Sequence, residues 1–95
     1  MFTIQYKKDT QTVSIEGQFD HSKVGESKKV FENIENSCTV DMSRLDYLCS
    51  GGIGILVMTY SRLKSKGMDL YLTNLNEHIQ NVFRISNLDK IFTIK

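Results

Sequence analysis

Val40-Asp41-Met42-Ser43-Arg44-Leu45-Asp46-Tyr47-Leu48-Cys49-Ser50-Gly51-Gly52-Ile53-Gly54-Ile55-Leu56 is the stretch that decides how this chain folds. It predicts a strand, a tight polar loop and then a helix that begins at a serine. Val40 and Met42 bury the strand end, and Leu45, Tyr47 and Leu48 press the loop onto the core. Ser50 suits the N-cap, because its hydroxyl can accept a hydrogen bond from an unpaired amide of the first helical turn. Gly51, Gly52 and Gly54 follow at once. Each glycine inside a helix costs about 1 kcal/mol against alanine, so this cluster needs a physical reason. The reason expected here is bare backbone: amides at the positive end of a helix, open to an anion such as a phosphate.

Upstream, Phe2-Thr3-Ile4-Gln5-Tyr6 and Thr12-Val13-Ser14-Ile15-Glu16 both alternate apolar and polar residues. That two-residue period belongs to half-buried strands. The polar turn Lys7–Gln11 between them predicts an antiparallel hairpin. Gly17-Gln18-Phe19-Asp20-His21-Ser22 closes the second strand and opens a helix, for which Asp20 and Ser22 are suitable starts. Val24, Ser27, Val30, Phe31 and Ile34 then keep helical spacing, until Asn36 and Ser37 stop the helix. Cys38–Met42 reads as a short strand parallel to the one before that helix.

Downstream, Ile53, Leu56, Val57, Tyr60 and Leu63 form an apolar stripe. Arg62, Lys64 and Lys66 complement the helix dipole, and Gly67 follows the helix end. Asp69–Thr73 is a further strand. Asn74 and Glu77 have the spacing of a capping box for a third helix, which buries Ile79, Val82 and Phe83. A closing edge strand is expected over Ile91–Thr93.

The order β-β-α-β-α-β-α-β over residues 1–95 predicts a single α/β domain: a mixed, mostly parallel sheet with helices packed on it. Binding sites in such sheets lie beyond the carboxyl ends of the strands. Two loops fall there, Gly17–Ser22 and Leu45–Gly52, and their strands are expected to be neighbours.

Composition narrows the function. With 40% hydrophobic and 24% charged residues, the chain is ordinary for a globular domain. Its formal net charge of +1 is too balanced for an electrostatic nucleic-acid binder, so no direct nucleic-acid partner is expected. No apolar run approaches the ~20 residues that span a membrane, and the first residues lack a signal-peptide core. The expected location is the cytoplasm, with no membrane partner. Cys38 and Cys49 make neither a disulfide framework nor a metal knuckle, so no metal and no cofactor is expected. Gly51-Gly52-Ile53-Gly54 lacks the spacing and the Lys-Ser/Thr ending of a nucleotide loop.

Several segments taken together resemble the STAS domain and, within it, the bacterial anti-sigma factor antagonists. Gly17-Gln18-Phe19-Asp20-His21 is similar to the family's Gly-Glu-Leu-Asp segment. Val40-Asp41-Met42-Ser43 resembles its buried strand ending in Asp-Leu-Ser. Cys49-Ser50-Gly51-Gly52-Ile53-Gly54-Ile55-Leu56 is similar to its Asp-Ser-Ser-Gly-Leu-Gly-Val-Leu. Leu63–Leu72 and Val82–Phe92 resemble its later strand and closing helix. The resemblance implies a non-enzymatic binding module with no catalytic residues. It implies phosphorylation at Ser50 by an anti-sigma factor that is itself a serine kinase, and reset by a metal-dependent serine phosphatase. The unphosphorylated form would bind the kinase and free a sigma factor. Partner contacts would fall on Asp20, Cys49, Ser50, Gly51, Gly52 and Ile53. Cys49 stands where the family usually has Asp, and Gly51 replaces the second Ser.

Plainer readings stand beside these. Ser50 and Asp20 can serve as helix caps. His21 and His78 read as surface residues. Cys49 sits by a helix N-terminus, which favours the reactive thiolate, but it also fits as a small buried filler. A thiol enzyme would need a base, for which the sequence offers only His21. The alternative function is a constitutive STAS scaffold or regulatory subunit of a transporter or sensory complex, without phosphorylation.

Overall fold

A computed structural model describes all 95 residues, Met1–Lys95. The elements are β1 (Phe2–Lys7), β2 (Thr12–Phe19), α1 (Val24–Glu32), β3 (Cys38–Leu48), α2 (Ser50–Lys64), β4 (Leu70–Thr73), α3 (Glu77–Ile85) and β5 (Thr93–Ile94). Single 3-10 turns, His21–Lys23 and Leu88–Lys90, precede α1 and β5. The order is the expected one. The strands form one five-stranded sheet in the order β1-β2-β3-β4-β5. β1 pairs antiparallel with β2, and every other pair is parallel.

Burial alternates along the strands. Val13, Ile15 and Phe19 of β2 and Leu70 and Leu72 of β4 are buried, while their neighbours are partly or fully exposed. One face of the sheet therefore carries the core beneath the helices, and the other is polar. The core joins these residues to Phe31, Ile34, Ile55, Leu56, Leu63, Ile79 and Phe83. Each such side chain contributes about 1.5–3 kcal/mol on burial.

β3 is much longer than Cys38–Met42, with 11 residues. The reason lies in its register with β2. Ser14 pairs with Asp41 but Glu16 with Arg44, and Gly17 pairs with Leu45 but Gln18 with Tyr47. β3 thus carries an extra residue at each of two bulges. A bulge leaves one residue unpaired and resets which side chains point inward. The buried positions become Met42, Leu45 and Leu48 instead of every second residue. Broken periodicity made the second half of this strand look like a loop. Tyr47 is consequently 43% exposed instead of pressed onto the core.

The buried face of α2 also differs from the expected stripe. It comprises Gly52, Ile55, Leu56, Thr59 and Leu63, with Ile53, Val57 and Tyr60 only partly covered. α2 packs on α1 as well as on the sheet, so its apolar surface is wider than one stripe. Arg62 crosses to α1, donating to the carbonyls of Ile34 at 2.7 Å and Phe31 at 2.9 Å. It thereby caps the C-terminal end of the neighbouring helix.

The capping box at Asn74 and Glu77 does not form. Asn76 is the N-cap of α3, and its side chain accepts from the Ile79 amide at 2.8 Å. Its Nδ2 also donates to the Leu45 carbonyl at 2.9 Å, tying α3 to β3. Asn74 instead adopts a left-handed conformation, φ 61°, and its Nδ2 donates to Asp41 Oδ1 at 3.1 Å. The last strand begins later than Ile91 because Leu88–Lys90 forms a 3-10 turn. Phe92 anchors that turn by packing against Tyr60 and Phe83, with ring centroids 5.2 and 5.7 Å away.

The Asn74 amide, together with the Ser43 amide, holds the Asp41 carboxyl below its usual value of 3.8. A carboxyl depressed in the native state stabilises the fold above its unfolded value, and that contribution is lost as pH falls through the native value. In acid unfolding followed by circular dichroism, Asp41→Asn should therefore flatten the loss of stability below about pH 4. An acid limb identical to that of the parent protein would show that this contact contributes nothing in solution.

Candidate functional site

The site grows from the junction where β2 and β3 end. The Cys49 amide donates to the Phe19 carbonyl at 2.9 Å. This bond holds the starts of the two following helical segments side by side. The expectation that loops Gly17–Ser22 and Leu45–Gly52 are neighbours is met.

On the β2 side, Asp20 caps the 3-10 turn, not α1 itself. Its Oδ1 accepts from the Ser22 amide at 2.9 Å and the Ser22 hydroxyl at 2.6 Å. These bonds, helped by the charges of Lys23 and His21, hold its carboxyl below the usual aspartate value. Asp20 and His21 are exposed.

On the β3 side, the N-cap of α2 is Cys49 and not Ser50. Cys49 has extended backbone, φ −77° and ψ 166°, and its Sγ accepts from the Gly52 amide at 3.4 Å. Its carbonyl accepts from the Ile53 amide at 3.1 Å, which starts the helical ladder one residue earlier than expected. Ser50 becomes the first helical residue, exposed, with its hydroxyl outside the cap. Cys49 is 4% exposed and turned inward, which suits a packed thiol better than a nucleophile.

The glycines have a different cause from the expected one. A Cβ on Gly52 would stand 2.7 Å from Leu48 Cδ1 and 3.1 Å from Phe19 Cε1. A Cβ on Gly51 would stand 2.9 Å from Val24 Cγ2 and 3.9 Å from His21 Nδ1. Two of the glycines therefore let α2 approach the core and the start of α1. Of the three glycines at this helix start, only Gly54 faces open space.

The structure thus sorts the residues expected to touch a partner. Asp20 and Ser50 lie on the surface, and Gly51 and Ile53 are half-buried. Cys49 and Gly52 are buried, so they shape the site from beneath and offer no contact surface. Tyr47, next to Gln18 in the register, adds an exposed aromatic ring that the sequence reading placed in the core. Its signal was its place between Leu45 and Leu48, hidden by the bulge. His78 is exposed on α3, as expected. A separate groove of about 440 Å³ lies between α1 and α2, lined by Lys28, Phe31, Ile55, Met58 and Arg62 among others. Ser50 is not part of it.

Comparison with known proteins places this geometry. A family model described as "Mlab, STAS domain" matches residues 2–94. The chain belongs to the STAS family. A candidate anti-sigma factor antagonist of Bordetella bronchiseptica, BtrV, is 32% identical over 60 residues, covering 63% of this chain and 52% of that protein. The chain therefore aligns with about half the length of that relative. The anti-sigma-B factor antagonist of Listeria monocytogenes is 27% identical over 95 residues, covering 94% of this chain and 83% of the relative. Among solved structures, the Bacillus cell fate determinant SpoIIAA in its phosphorylated form superposes with a TM-score of 0.72 at 20% identity. That match covers 100% of this chain and 91% of the other. It is a likeness of fold.

The two glycine environments make opposite predictions. Gly52→Ala should destabilise by about 1–3 kcal/mol, since the new methyl overpacks Phe19 and Leu48. Gly54→Ala should stabilise by roughly 0.5–1 kcal/mol, since the methyl meets nothing and helix propensity improves. Urea unfolding of both variants would measure this, and equal effects of the same sign would refute the packing assignment.

Proposed function

We propose that this STAS domain is an anti-sigma factor antagonist, cytoplasmic and non-enzymatic, whose docking surface is switched by phosphorylation of Ser50. The observation that carries the reading is the position of Ser50. It is the exposed first residue of α2, beside the Asp20 loop, with its hydroxyl outside the cap. The relatives named as anti-sigma factor antagonists support the same role. The proposed partners are an anti-sigma factor with serine kinase activity and a metal-dependent phosphatase. The proposed contact surface is Asp20, Ser50, Gly51 and Ile53, with Tyr47 added.

The physics of the switch is electrostatic. Phosphorylation adds roughly −1.5 to −2 charges. The helix N-terminus tolerates them, offsetting about 0.3–2 kcal/mol. A partner carboxylate about 6 Å away, at an effective dielectric near 20, repels each charge by ~3 kcal/mol before screening. Two charges give ~5 kcal/mol. Halved by salt, this still weakens binding by roughly a hundredfold. A charge added at the exposed start of α2 would act on a docked partner directly, so this switch calls for no rearrangement.

A second reading is a constitutive docking subunit of a transporter or sensory complex. It is favoured by Cys49, whose inward thiol stands where the family's motif has a carboxylate.

Phosphosite mass spectrometry on protein from its native cells, with and without phosphatase treatment, separates the two. A removable phosphate on Ser50 is expected. Its absence across growth and stress conditions would leave the constitutive reading. In calorimetric titrations against the kinase, Ser50→Ala should bind like the parent. Ser50→Asp, with a single charge, should bind about tenfold more weakly. Equal binding by the two variants would exclude a charge switch.

A further inference from the structure

His21 has no part in the core and none in the cap that Asp20 makes with Ser22, yet it stands at the helix start that bears Ser50. Its Nδ1 lies 3.9 Å from where a Gly51 Cβ would be. Successive Cα atoms are about 3.8 Å apart. The imidazole therefore touches the residue that follows Ser50 and stands no more than about 9 Å from the Ser50 Cα, close to the roughly 8 Å screening length of physiological salt. A Cβ at position 51 would crowd Val24 Cγ2 at 2.9 Å, so the glycine lets α2 close on the start of α1, with the His21 turn alongside.

We propose that His21 is the charge partner of a phosphate on Ser50, and that its protonation sets how strongly the phosphate repels a docked protein. This rests on the reading of Ser50 as a phosphoacceptor and adds a regulatory group to that site.

The surroundings favour this pairing. On its own segment His21 has Asp20 and Lys23 beside it. Asp20 is occupied by two bonds from Ser22, and Lys23 is the last residue of the turn. From α2 the titratable group facing the same point is the Cys49 thiol, whose Sγ lies 3.8 Å from the Gly51 Cβ position. The first turn of α2 carries no acidic side chain. A phosphate on Ser50 would thus be the strongest charge near the ring. An unperturbed imidazole titrates near pH 6.5, and the second phosphate ionisation lies near pH 6. Protonated His21 offsets part of the phosphate charge, so the off state weakens as pH falls.

The test uses full-length protein with phosphoserine installed at position 50 during translation, which needs no kinase. NMR titration of the two histidines gives an internal control, since His78 lies on α3. The His21 midpoint should rise by about half a pH unit or more on phosphorylation, with His78 unmoved. The 31P midpoint should be lower in the parent than in His21→Gln by a similar amount, and His21→Lys should keep it low. An unchanged His21 midpoint, an equal rise at His78, or a 31P curve indifferent to His21→Gln would each overturn the pairing. The absence of phosphate on Ser50 in native cells would overturn the proposed switch instead, and would leave these titrations as they stand.

Discussion

The hydrogen bond from the Cys49 amide to the Phe19 carbonyl is the constraint on which the site depends. It closes the parallel pairing of β2 and β3 at the point where both strands give way to helical turns. Phe19, just before the junction, is buried beneath Gly52. Leu48, the last residue of β3, presses on the same glycine. Strand pairing, aromatic packing and helix start are thus fixed by one small set of contacts. The surface above them, with Asp20, His21 and Ser50, is held by the core instead of by a loop of its own. A surface so supported suits a switch that works by adding charge, because rigid placement determines the distance over which the charge acts.

The architecture was legible in the sequence because most of its strands and helices obey simple periods. β1 and β2 alternate cleanly, and the antiparallel hairpin and parallel crossovers follow. What stayed hidden were places where the period breaks for local reasons. The two bulges in β3 moved the inward-facing positions to Leu45 and Leu48, so a strand read as a loop and Tyr47 read as buried. At the start of α2, a serine is the better capping residue in general, yet the extended backbone at Cys49 made a thiol the acceptor. At the start of α3, the left-handed turn at Asn74 delayed the helix by two residues. The glycine cluster was visible, but its cause was not. Side-chain neighbours from β2 and α1 explain Gly52 and Gly51, and those neighbours are distant in sequence.

The helices are joined by a similar economy. Arg62 is written into α2, where its spacing suggested a role at the end of its own helix. Its guanidinium instead satisfies the last carbonyls of α1. The two helices are joined at that end, and the His21 turn and Ser50 lie together at the other. Asn76 works at the other kind of helix end, capping the N-terminus of its own α3 while bonding the Leu45 carbonyl of the bulged strand. Long-range polar bonds of this kind are few here, and they are placed where regular structure ends and backbone groups would otherwise lack partners.

The sheet keeps one face open to solvent, although parallel strands are more often covered on both sides. Every second residue on the regular strands, and two in three along the bulged half of β3, is therefore released from packing. At such positions the fold asks only for solubility and strand propensity, whereas the opposite positions are apolar to fill the core. That division of labour offers a physical account of how a fold can be shared at a TM-score of 0.72 when only 20% of residues are identical. The inward positions hold the shape, and the outward ones leave the choice of residue largely open.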